Sequence, residues 1–266
     1  MAAVMPLSLR TVDQDGVAEL ERIALVTGAG NGIGLALVDE LLADENTALV
    51  FAASRKPEQS KALRQRASED PRLQPVTLDA TDPSSIRATQ EQLRAAGRLD
   101  LVINTVGVLH SQNGLQPEKR LADINFDDML LAFDVNALSM MRLAMALEPL
   151  LKASRLPTFV SLSARVGSIE DNRLGGWYTY RASKAALNML LRTLAIEWQR
   201  TMPTMTCVAL HPGTVNTDLS APFTRNSKHP VFSPQESASH LLGVIDQLGP
   251  EQNGGFYAWD GKEVPW

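Results

Sequence analysis

The stretch Ile23-Ala24-Leu25-Val26-Thr27-Gly28-Ala29-Gly30-Asn31-Gly32-Ile33-Gly34 governs the reading of the whole chain. Residues 23–26 form an apolar strand, and a helical pattern begins at Ile33 with only the glycine-rich turn between them. Glycines permit so tight a turn and remove side chains that would hold a pyrophosphate away from the helix N-terminus. That helix end offers unpaired N–H groups and the positive end of its dipole. Gly28, Gly32 and Gly34, with Asn31 and Ile33 between them, are therefore candidate phosphate-cradling residues. The spacing departs from the usual G-x-G-x-x-G, because Ile33 stands where the last glycine would. A plain strand–helix turn uses the same residues, so a second signal is needed.

Working outward, short apolar runs alternate with amphipathic segments, as βαβ units and a parallel sheet require. Strands are predicted at 23–26, 48–52, 73–78, 101–104, 158–162, 205–210 and 255–258, and helices at 33–43, 57–67, 83–95, 127–152, 178–199 and 234–248. Asp82-Pro83 marks a capped helix start, and Ser233-Pro234-Gln235-Glu236 is a capping box. The expected fold is a single α/β domain over residues 21–266: a Rossmann-type, doubly wound sheet of seven mostly parallel strands with helices on both faces. Residues 1–20 read as a poorly ordered extension. The long irregular stretch 219–233 reads as a lid, with Phe223 and Phe232 as apolar walls.

The second predicted strand ends in Ala52-Ala53-Ser54-Arg55. A fold that selects NAD places a carboxylate here for the ribose hydroxyls; Arg55 is instead suited to pair with a 2′-phosphate. That favours NADP(H) over NAD(H), the alternative being a solvated surface arginine.

Composition removes several function classes. The net charge of −5 is spread along the chain, leaving no basic stripe for nucleic acid. Cys207 is the only cysteine, so neither a disulfide framework nor a cysteine-rich metal site is expected. His110, His211, His229 and His240 lack metal-ligand spacing. Residues 1–21 carry acids where an export signal avoids them, and no window suggests a membrane span of roughly 18 apolar residues. The expected location is cytoplasmic. Cys207 reads as a buried hydrophobe, and Arg64-Gln65-Arg66 as a solvated helix face.

Far downstream lies Tyr180-Arg181-Ala182-Ser183-Lys184. With the glycines at 28, 32 and 34, it resembles the short-chain dehydrogenase/reductase family over residues 22–266. Further landmarks follow the family's order. Asp79 resembles the aspartate near the adenine. In Asn104-Thr105-Val106-Gly107, Asn104 and Gly107 match the family's Asn-Asn-Ala-Gly and the middle pair departs. Asn136 resembles the relay asparagine. Pro212, Gly213, Val215 and Thr217 resemble the segment that holds the nicotinamide carboxamide. Ala164-Arg165-Val166-Gly167-Ser168-Ile169, Gly175-Gly176-Trp177-Tyr178 and the ending Asp260-Gly261-Lys262-Glu263-Val264-Pro265-Trp266 resemble the C-factor-like branch, itself similar to small carbonyl reductases. Members of the family often pair subunits through two long helices, here 127–152 and 178–199, which implies a homodimer or homotetramer, while small carbonyl reductases can also be monomeric.

Four-residue spacing puts Tyr180 and Lys184 on one helical face. A nearby ammonium stabilises phenolate, so the pair can exchange a proton with a substrate oxygen. The resemblance makes Tyr180 the acid/base toward a small carbonyl or alcohol substrate, and Lys184 its partner and a ribose ligand. The family's catalytic serine stands three residues before the glycine at 167, and here that residue is Ala164. Three explanations compete. A neighbouring hydroxyl substitutes, with Ser163 the first candidate and Ser161 and Ser168 behind it. The enzyme works without the serine. Or the chain is a nucleotide-binding regulator that has left catalysis.

Overall fold

The structure, a computed structural model, describes residues 21–111, 114–224 and 230–266. The expected extension 1–20, His229 and the lid segment 225–229 lie outside the described residues. The chain opens with β1 (Arg22–Thr27), α1 (Gly32–Ala43), β2 (Thr47–Ser54), α2 (Lys61–Glu69), β3 (Leu73–Thr77) and α3 (Pro83–Leu93). It returns at β4 (Leu101–Asn104), α4 (Phe126–Phe133), α5 (Ser139–Lys152), β5 (Thr158–Leu162), α6 (Tyr178–Thr201) and β6 (Thr206–His211). The last elements are β7 (Thr214–Val215), α7 (Ala221–Thr224), β8 (Val231–Phe232), α8 (Pro234–Ile245) and β9 (Phe256–Ala258).

The main sheet runs β3-β2-β1-β4-β5-β6-β9, with every neighbouring pair parallel. The chain winds outward from β1 to β3, then restarts beside β1 at β4, so the topological switch point lies between β1 and β4. Successive side chains on a strand face opposite ways, and the two cores divide on that rule. Leu25, Val102, Phe159 and Cys207 pack with Met140, Leu143, Leu187 and Trp198 on one face. Val26, Ile103, Val160 and Val208 pack with Leu37, Leu41 and Leu241 on the other. Phe159 meets Trp198 edge-to-face at 5.6 Å.

Several boundaries differ from expectation. The predicted helix 57–67 is broken: Pro57–Gln59 forms a 3-10 turn, and Ser60 then caps α2 by accepting from Leu63 N. The predicted helix 127–152 spans Phe126–Lys152 but is interrupted by a π-helical turn at Asp134–Leu138. An 18-residue window of it has a mean hydropathy of 1.5, long and apolar enough to cross a membrane, contrary to the sequence reading. Here its inner stripe of Met140, Leu143, Leu147 and Leu151 belongs to the core, while Met145 faces outward. The apolarity of the inner stripe is that of a packed helix, while Leu130, Leu138 and Met145 are exposed. Arg66 is only partly solvated, because Asp39 pairs with it at 2.7 Å. Within the long irregular stretch, β8 pairs with β7 and α7 adds a helical turn. The caps at Asp82 and Ser233 stand as read.

Candidate active site

The glycine turn lies at the carboxyl end of β1. Gly28 has φ +74°, and a Cβ there would sit 2.5 Å from Thr105 Oγ1. A Cβ on Gly34 would sit 2.4 Å from the Gly28 carbonyl oxygen, so α1 packs backbone-to-backbone on the turn. Asn31 makes no side-chain cap, and the first turn of α1 carries no acid, which leaves its N–H groups to a ligand. Opposite, a Cβ on Gly32 would lie 3.4 Å from Thr217 Cγ2, so the segment after β6 forms the facing lip. Pro212 O accepts from Ser237 Oγ at 2.9 Å, and Thr217 N donates to Ser220 Oγ at 3.2 Å. Val215 is buried on β7.

Asn104 binds the strands together rather than presenting its amide. Its Oδ1 accepts from Thr27 Oγ1 at 2.7 Å, its Nδ2 donates to Ser161 Oγ at 3.0 Å, and it is buried. At the end of β2, Ser54 Oγ is buried beside Gly30 without a partner among the described residues. Arg55 is exposed and forms no ion pair among the described residues. Asp79 is half-buried, with Oδ1 accepting from Thr81 N and Oγ1 at 2.9 and 2.7 Å. An orphaned hydroxyl, a free guanidinium and uncapped amides around one turn fit a phosphorylated dinucleotide.

Tyr180 and Lys184 share one face of α6, with Lys184 Nζ 5.9 Å from the tyrosine ring centre. Lys184 is buried and donates to Leu162 O at 2.9 Å; burial lowers its pKa to about 8. Burial also raises the Tyr180 phenol well above its ordinary range. The sequence reading expected the ammonium to lower that phenol. Here desolvation prevails, and the ammonium's recorded bond goes to a carbonyl. Asn136 lies in the π-helical turn, a distortion that recurs at functional sites. Its amide pairs with both backbone groups of Val108 at 2.7 and 2.9 Å and donates to Ser183 Oγ at 2.9 Å. A Cβ on Gly107 would come within 3.3 Å of Asn136 Oδ1 and 3.4 Å of Lys184 Nζ, so a side chain there would crowd both groups.

None of the three substitute serines is free. Ser163, the first candidate, turns away: its hydroxyl is buried and donates to Asn188 Oδ1 at 2.6 Å, because adjacent residues on an extended strand face opposite sides. Ser161 accepts from Asn104, and Ser168 donates to Trp266 O at 3.0 Å. Among the described residues, none hydrogen-bonds the Tyr180 hydroxyl.

Trp177 stands edge-on to Tyr180 at 6.2 Å and to Phe223 at 5.1 Å, and His110 meets Phe223 at 5.9 Å. Phe232, expected in the same wall, instead packs on Gly213, His240 and Trp259. His211 is half-buried, its Nδ1 buried and unpartnered among the described residues, and desolvation, with Arg165 nearby, lowers its pKa to about 4. Glu118 escaped the sequence reading altogether. It lies in a loop remote from the motif yet touches the residue before Tyr180, and Gln116-Pro117-Glu118-Lys119 carries no pattern that announces this.

The sequence profile of the short chain dehydrogenase family matches residues 22–228. The chain belongs to the short chain dehydrogenase family. This short chain dehydrogenase is 31% identical over 263 residues to an uncharacterized oxidoreductase of Schizosaccharomyces pombe, covering 94% of this chain and 100% of that one. It is 36% identical over 170 residues to the C-signal protein of Myxococcus xanthus, covering 64% of this chain and 94% of that one. Its fold matches an NADPH-bound carbonyl reductase from chicken fatty liver with a TM-score of 0.81 and 34% identity, covering 92% of this chain and 99% of that one. It is an oxidoreductase of the C-factor-like, carbonyl-reductase-like branch.

Proposed function

We propose that this short chain dehydrogenase uses NADP(H) to interconvert a ketone or aldehyde and its alcohol, with Tyr180 as the acid/base. The observation that carries the reading is the Tyr180–Lys184 pair on α6, with Gly107 leaving room between Asn136 Oδ1 and Lys184 Nζ. The N-terminus of α1 and the turn around Gly28, Gly32 and Gly34 hold the pyrophosphate. Arg55 and Ser54 take the 2′-phosphate, Asp79 borders the adenine, and Pro212, Gly213, Val215 and Thr217 border the nicotinamide. When bound, the reduced nicotinamide supplies the hydride that the carbonyl carbon accepts. Tyr180, protonated at neutral pH, gives its proton to the carbonyl oxygen. Lys184, still an ammonium below pH of about 8, stabilises the resulting phenolate and binds the ribose. Asn136 anchors the proton path from its π-helical turn.

The regulator reading retains one specific support: Ala164 lacks the hydroxyl, and the three nearby serines are spent elsewhere. Removing one such donor costs on the order of 10²–10³ in turnover. The deciding experiment measures NADPH consumption against a panel of carbonyl compounds for the natural protein, Tyr180→Phe and Ala164→Ser. Turnover abolished by Tyr180→Phe supports the reductase. Turnover only in Ala164→Ser, with equal NADPH binding, transfers support to the regulator. We also propose self-association through the outer faces of α4, α5 and α6, where Leu130, Met145 and Met189 are 69, 72 and 67% exposed.

A further inference from the structure

Glu118 lies in the loop between β4 and α4, is 4% exposed and has no ion-pair partner among the described residues. A carboxylate so placed is costly unless its oxygens are bonded, and here both go to the first turn of α6. Oε2 accepts from Thr179 N at 3.2 Å, and Oε1 accepts from the Thr179 hydroxyl. The Glu118 carbonyl accepts from Trp177 N at 2.6 Å. These bonds hold residues 177 and 179, directly ahead of Tyr180.

That turn needs an outside clamp. Trp177 is the cap residue of α6 but forms no side-chain cap. Its φ of 51° follows Gly175 and Gly176 at 63° and 64°, and it is the one left-handed non-glycine among the described residues. A bulky residue holds that conformation only where its surroundings enforce it. Glu118 supplies both the missing cap and a negative charge at the positive end of the α6 dipole. It also lines the crevice formed by Val108, Leu115, Ala132 and Tyr180.

We propose that Glu118 is a positioning residue for Tyr180, fixing the Trp177–Thr179 turn so that the tyrosine hydroxyl is held at the substrate carbonyl; this rests on the reductase reading. Misplacing a reacting group by about 1 Å costs on the order of 10²-fold. Glu118→Ala should therefore lower kcat on that scale while NADPH affinity, measured by fluorescence titration, stays unchanged. Glu118→Gln keeps an oxygen for Thr179 N–H and an amide for the hydroxyl, and should restore most of the rate. Thr179→Val removes one bond without touching Glu118 and should lose less, and the double variant should fall no further than Glu118→Ala. Hydrogen exchange across residues 177–179 should accelerate in Glu118→Ala and return to the natural rate in Glu118→Gln.

Natural kcat in Glu118→Ala, a proportional loss of NADPH affinity, Glu118→Gln as slow as Glu118→Ala, or unchanged exchange would each overturn the proposal. If the natural protein is inert on every carbonyl compound, the reductase reading fails by itself. The exchange comparison still decides whether Glu118 holds the turn.

Discussion

Gly34 and Gly243 are both helical glycines, yet replacing each with alanine should shift stability in opposite directions. Helix propensity alone favours alanine over glycine by up to about 1 kcal/mol at either site. On α8, a Cβ at exposed Gly243 meets nothing within 4 Å. Gly243→Ala should therefore raise Tm, by roughly 2–4 °C per kcal/mol for a domain of this size. On α1, a Cβ at Gly34 would lie 2.4 Å from the Gly28 carbonyl oxygen, 2.8 Å from its carbon and 2.9 Å from Thr105 Oγ1. Ordinary contact begins near ~3.5 Å, so α1 and the turn must part by about 1 Å. Leu37 and Leu41 anchor α1 in a close-packed core, and such overpacking costs about 1–3 kcal/mol. After the helix gain, a net loss of up to about 2 kcal/mol remains, which lowers Tm by up to roughly 8 °C. The same displacement moves the α1 amides from the phosphates, so NADPH affinity should fall in Gly34→Ala and hold in Gly243→Ala. Thermal unfolding by circular dichroism and NADPH fluorescence titration read both effects. A Gly34→Ala protein that melts higher than the natural one, or binds NADPH equally well, would refute the backbone-contact argument.

Arg55→Ala should weaken NADPH binding roughly 10- to 150-fold, the 1.5–3 kcal/mol of a hydrogen bond to a charged group, while leaving NADH binding and Tm alone. Equal losses for both nucleotides would remove the 2′-phosphate assignment. Lys184 sets a pH signature: its folded pKa is about 8 against an ordinary 10.5, so between those values the unfolded chain binds a proton that the folded chain does not. Its contribution to stability therefore rises with pH across that window, from a cost of about 3 kcal/mol below it. Lys184→Met should be the more stable protein in urea at pH 7 and lose that advantage by pH 10.5; a constant gap would contradict the burial argument.

The strand–helix alternation was legible because strands buried on both faces are continuously apolar and helices carry a different period. The helix starts at Asp82 and Ser233 were legible because a capping side chain bonds within three residues of itself. The break at Ser60 was not read, although its cap on Leu63 N is as local as those two; its further bond, Ser60 Oγ donating to Gly30 O at 3.0 Å, lies outside any local pattern. The apolarity of Phe126–Lys152 was underestimated, because Asp134 and Arg142 in its middle pair with each other at 2.6 Å and its inner stripe is core.

The sequence by itself determined the βαβ order, the turn between β1 and α1 and the Tyr180–Lys184 spacing, because each is a relation between residues a few positions apart. Tertiary structure decided where the hydroxyls point. Ser163, Ser161 and Ser168 all stand near the missing hydroxyl in the sequence, and only the packing of β5 against α6, the clamp of Asn104 and the chain's return to Trp266 commit each one elsewhere. It also decided that Phe223 and not Phe232 joins the wall at Tyr180, and that Glu118 caps a helix 61 positions away. Such partners are chosen by how packed elements meet in space, and local periodicity carries no record of that choice.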